Sequence, residues 1–149
     1  MYFAILHLLN EAVNAFQVFS NPFFWSFTMD IRTFLDSGDN NALKNPKAPT
    51  AFVYHGFCND GTTAVAIATY HYVKTLGRTD YSTIPAIHQM APFYPAFEGK
   101  TVVFLDFCYP LEIMKKIIEV ADAVTVLDHH VSAYEDLKDF KHDKFTYVY

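Results

Sequence analysis

Short apolar runs that end abruptly in acids and imidazoles constrain this chain most. "AFVYH" (51–55), "TVVFLDF" (101–107) and "VTVLDHH" (124–130) each spend several β-favouring residues and then place a costly polar side chain. Between them lie helix-like stretches, 61–76 before Gly77 and 110 to about 121, opened by Pro110. Gly77 reads as a C-cap and Pro110 as an N1 proline. "YSTIPAIH" (81–88) reads as a further strand, placed near an edge by Pro85. Ser132 to about Lys138 reads as a short helix and "FTYVY" (145–149) as a fifth strand. Strands alternating with helices predict βαβ units and an open, mostly parallel five-stranded α/β sheet flanked by helices.

In such sheets the site lies outside the carboxyl ends of the strands. His55, followed by Cys58 and Asp60, closes the first run, Asp106 the third and Asp128-His129-His130 the fourth. Neighbours on a strand face opposite ways, so the triplet can serve one site only if the strand stops at Asp128 and the chain turns. One histidine alone would read as structural. Three carboxylates and three imidazoles gathered from three strand ends do not. Mixed carboxylate and imidazole donors suit manganese, iron or zinc better than calcium. Two such ions about 4 Å apart would stabilise the attacking and leaving oxygens of a phosphoester displacement. Water between two cations has its pKa lowered towards neutrality, so no protein nucleophile is required.

These motifs resemble the DHH phosphoesterase family. "YHGFCNDGTTAV" is similar to the family's first motif in its His and Cys-x-Asp-Gly form, "VVFLDFCYP" to the second, and Asp128-His129-His130 to the triplet that names it. The resemblance covers roughly residues 51–149. It implies a two-metal, usually manganese-dependent enzyme, with zinc, ferrous iron or magnesium as alternatives. The implied substrates are short oligonucleotides, cyclic dinucleotides, nucleotide bisphosphates or polyphosphate. Carried over, His55, Asp60, Asp106, Asp128 and His129 match metal ligands, with Asp106 as the bridge. The implied catalytic group is Asp106, His129 and His130, with His130 nearer the substrate phosphate. A central-strand carboxylate, with two oxygens, suits bridging on its own chemistry.

The chain also departs from the family. Cys58 stands where many relatives carry an acid, and reads either as a small loop residue or as a thiolate ligand for a softer metal such as zinc. A disulfide between Cys58 and Cys108 is not the expectation. Family members continue past the fifth strand to a further acidic ligand and a substrate-gripping domain, whereas this sequence stops at Tyr149. The alternative function is therefore a weak or inactive DHH-like domain that binds a nucleotide, metal or protein partner. His88 is a candidate phosphate contact, Ser132 a candidate helix cap, and Tyr109 a packing residue before a base-stacking one. Lys115 and Lys116 read as a solvated helix face.

The 149 residues carry 52% hydrophobic and 18% charged side chains, which argues against a disordered chain. A net charge of −5 without a basic run argues against long duplex DNA. No run reaches the roughly 18 apolar residues of a membrane span, so the expectation is a cytoplasmic protein without membrane contact. "MYFAILHLLN" lacks a basic leader and reads as the start of a helix over 2–19. Residues 1–36 form an apolar, aromatic-rich extension, 37–50 a polar connection and 51–149 the α/β domain. The extension carries more apolar surface than one helix face needs, either as a layer on the sheet or as a subunit interface. A homodimer is the expected assembly.

Overall fold

The computed structural model describes residues 47–149. The helix expected over 2–19, the aromatic segment after it and most of the polar connection lie outside the described residues. The chain divides into two compact units. One comprises Ala42–Val65 with Asp80–Tyr149 and carries the sheet; the other includes Ala66–Thr79.

Five strands, β1 (Thr50–His55), β2 (Tyr81–Ala86), β3 (Thr101–Leu105), β4 (Ala123–Leu127) and β5 (Phe145–Val148), form one sheet. Every pairing is parallel, so the expectation of a mostly parallel sheet sharpens to a wholly parallel one. Helices α1 (Asn59–Lys74), α2 (Leu111–Val120) and α3 (Val131–Leu137) follow β1, β3 and β4, and a short 3-10 turn at Tyr94–Ala96 lies between β2 and β3. Parallel neighbours need such crossovers, because a hairpin turn can join only antiparallel strands.

The strand order is β2-β1-β3-β4-β5. Pro85 therefore sits on an edge strand, where its missing N–H costs no interior ladder bond. From β1 the chain first builds outward to β2, then crosses back to β3 on the other side. The order reverses between β1 and β3, and a doubly wound sheet leaves a crevice there at its carboxyl edge.

β3 and β4 are central and carry almost only apolar residues, as strands covered on both faces do. Val102, Phe104, Val124 and Val126 join Met114, Ile117 and Ile118 of α2 and Leu137 of α3 in the core. Met114, Ile117 and Ile118 lie at helical spacing on the buried side of α2. Glu112 and Lys115 pair at 2.6 Å on its exposed side, the solvated face expected there. Pro110 is the N-cap of α2 rather than its first helical residue. Gly77 follows the end of α1 with φ 63°, a conformation that favours glycine. Among the described residues no helix is long and apolar enough to cross a membrane.

Candidate metal centre

β1, β3 and β4 pair in register, so Tyr54 lies beside Leu105 and Leu105 beside Leu127. The residues just beyond those positions, His55, Asp106 and Asp128, must therefore leave the sheet at one edge. β3 stops at Leu105, two residues short of the expected end, because Asp106 adopts φ 56°. A left-handed backbone costs an L-residue about 1–2 kcal/mol, although aspartate tolerates it better than most. The turn is anchored by the Asp106 N–H, which donates to the Leu127 carbonyl at 2.9 Å. β4 stops at Leu127 as expected, and the chain turns into α3 at the triplet.

Asp106 is the centre of what results. The residue is 8% exposed, and its carboxylate belongs to two groups of donor atoms, the members of each lying within 4.8 Å of one another. The first is His55, Cys58 and Asp106; the second is Asp106, His129 and His130. On the first side His55 Nδ1 stands 3.7 Å from Asp106 Oδ2, too far for a hydrogen bond. Both atoms are buried without a hydrogen-bond partner. Such orphans are rare in folded proteins and ask for an explanation such as a bound ion. On the second side His129 Nε2 lies 3.1 Å from Asp106 Oδ1 and His130 Nδ1 lies 4.0 Å from it. The donor set and the orphaned pair fit a cation.

Asp128 does different work from Asp106. It is buried, and its Oδ1 accepts the His130 backbone N–H at 3.0 Å while lying 2.5 Å from His130 Nδ1. This hydrogen bond raises the His130 pKa; burial opposes it, and the charges of Asp128, Asp106 and Asp60 reinforce it. A carboxylate behind a metal-site histidine orients the ring and selects its tautomer. Asp128 also neighbours Cys108, whose thiol is pushed up to about 12 by burial, by the charges of Asp128 and Asp136, and by a hydrogen bond to Asp128. Burial, with Asp128 and Cys108 nearby, likewise raises the Tyr147 hydroxyl to about 12.

Of the residues singled out from sequence, His55, Cys58, Asp106, His129 and His130 come together in the donor groups. Asp60, in the first turn of α1, is exposed and belongs to neither group, and Asp128 stands behind His130. His88 is exposed at the rim, its ring 4.8 Å from that of His55 and 4.9 Å from that of Phe107. Ser132 is not the helix cap: α3 begins at Val131 with His130 in the N-cap position. Tyr109 is buried, edge-on to Phe104 and Phe107, and so has the packing role. Cys58 and Cys108 are both free thiols.

Two supporting residues were given no role from sequence. Gly61 is one: a Cβ there would lie 2.4 Å from the His55 carbonyl oxygen and 2.7 Å from its Cβ. Only glycine lets the first turn of α1 approach the end of β1 so closely. Its signal was the Asp60-Gly61 pair, which reads equally well as an ordinary turn. The other is Phe107, fully buried with its ring 5.7 Å from that of His55. Nothing in sequence separates it from the other core aromatics.

No family model matches the chain, and no solved structure matches it. It is 28% identical over 118 residues to an uncharacterized protein of Acanthamoeba polyphaga mimivirus. The match covers 73% of this chain and 28% of that relative, so the chain spans little more than a quarter of the viral protein's length.

Proposed function

We propose that this chain is a metal-dependent phosphoesterase that hydrolyses a small phosphodiester or phosphoanhydride, in keeping with its resemblance to the DHH family. One observation carries the reading: a single buried carboxylate, Asp106, is shared by two donor groups at the switch point of a parallel sheet. The two oxygens of one carboxylate can serve two cations, the arrangement on which two-metal phosphoryl chemistry depends. When bound, manganese or a similar ion would supply an activated water and offset charge on the phosphate.

The chain's own groups have separate tasks in this scheme. Asp106, His55 and His129 would hold the cations. Asp60 and Asp128 add negative charge around them. His130, oriented by Asp128, faces the substrate phosphate, and His88 contacts it from the rim. The substrate class is a short oligonucleotide, cyclic dinucleotide, nucleotide bisphosphate or polyphosphate. The proposed setting is the cytoplasm and the proposed assembly a homodimer. Sedimentation at low micromolar concentration should give twice 17.1 kDa, and a species of 17.1 kDa would reject the dimer.

The test is turnover by purified full-length protein with added manganese, across linear and cyclic dinucleotides, bisphosphates and polyphosphate. Hydrolysis of at least one class, abolished by a chelator, is expected. Absence of turnover across the panel would reject the enzyme. Metal content would then decide for or against a binding domain.

A further inference from the structure

The two halves of this centre differ in chemistry. Around Asp106, one half offers imidazole and thiol, and the other offers two imidazoles. We infer that Cys58 is a metal ligand, so that the half formed by His55, Cys58 and Asp106 is the softer one and selects zinc or ferrous iron over manganese. This deepens the proposed function and rests on the metal centre assumed there.

The loop from Gly56 to Cys58 is shaped as a ligand loop would be. Phe57 adopts φ 61°, yet the residue is 97% exposed, so burying phenylalanine does not offset the strained backbone. What the conformation achieves is the return of the chain towards Asp106, with Cys58 half-buried beside it. The Cys58 carbonyl accepts both the Thr62 N–H, at 3.0 Å, and the Thr62 hydroxyl, at 2.8 Å. Cys58 is thereby tied to the first turn of α1, the same turn that Gly61 seats against His55.

A second observation is independent of the cysteine. Asp106 is more than nine-tenths buried, and its Oδ2, like His55 Nδ1, lacks a hydrogen-bond partner on this side of the centre. One imidazole nitrogen of His55, the Cys58 sulfur and one carboxylate oxygen of Asp106, all within 4.8 Å of one another, form a mixed nitrogen, sulfur and oxygen set. Thiolate favours zinc and iron, whereas carboxylate with imidazole also accommodates manganese. Cys108 is not an equivalent thiol, because it is hydrogen-bonded to Asp128.

The experiment titrates chelator-treated full-length protein with cobalt under reducing conditions, following the visible bands of bound cobalt and the near-ultraviolet thiolate-to-cobalt band. Wild type should develop both. Cys58→Ser should lose the near-ultraviolet band and keep visible bands from the other half, whereas Cys108→Ser should keep both. Zinc affinity should fall in Cys58→Ser by more than the roughly 10–100-fold typical of losing an outer-shell partner, with manganese affinity less affected. Circular dichroism checks that each variant is folded, and Cys58→Ala provides a second substitution. Visible bands without a near-ultraviolet band in wild type, or a band that survives Cys58→Ser, would overturn the cysteine assignment alone. Absence of cobalt binding altogether would overturn the metal centre and the assignment with it.

Discussion

The loop from His55 to Gly61 and the turn from Asp128 to His130 both bring donors to Asp106, but they are built differently. The turn is held locally: Asp128 accepts the backbone N–H of a residue two positions on and orients that residue's ring. The loop has local hydrogen bonds from Thr62 as well, but it also depends on fit: on a left-handed phenylalanine and on a glycine without which α1 could not lie against β1. Local hydrogen bonds tolerate small shifts of the surrounding fold, whereas close approach does not. The loop should therefore be the more fragile half, and its loss should spare the other.

Removing what the halves share should have the largest effect. Asp106→Ala should abolish metal-dependent turnover and lower metal content on both sides, a loss greater than the roughly 10–100-fold expected of an outer-shell residue. Metal analysis after dialysis checks this. If Asp106→Ala retained full metal content, the halves would not be joined through this carboxylate.

Gly61→Ala comes next and tests the fit directly. In an open helix interior, alanine would stabilise by about 1 kcal/mol over glycine. Here the added Cβ meets His55 backbone atoms at 2.4 and 2.9 Å, which cannot yield as a flexible side chain would. The sign should reverse, with a net destabilisation of about 1–3 kcal/mol in urea unfolding. Binding should weaken at the His55 side first. A more stable Gly61→Ala protein would contradict the close-packed junction.

Asp128→Asn should be milder, because the amide oxygen can still accept the His130 N–H while the charge that orients the ring is lost. Metal affinity on the His129–His130 side should fall by roughly 10–100-fold, and the near-ultraviolet cobalt band of the loop half should persist. Calorimetric titration separates these outcomes; an equal loss on both sides would erase the distinction. The smallest effect belongs to His88→Ala at the exposed rim. Stability should stay within about 0.5 kcal/mol and metal content should not change, while KM for the phosphorylated substrate rises. A drop in metal content would move His88 into the centre.

The amino-acid sequence by itself determined the α/β class, the alternation of its elements and the gathering of His55, Asp106 and Asp128-His129-His130 at one sheet edge. Those features follow from local patterning: apolar runs of strand length, helix signals between them, and a parallel sheet that sends all its strand ends the same way. Pro85 even marked an edge strand. Which donors meet was decided by the tertiary structure. Asp106 reaches both groups because its backbone turns left-handed between two neighbouring strands, and Asp60 stays outside because α1 starts with that side chain exposed. Asp128 stands behind His130, and Cys58 is carried to Asp106 by a loop whose shape depends on a contact absent from the linear pattern. Periodicity specifies which face of an element is buried, but distances between side chains on different elements are set only when the whole sheet closes its packing.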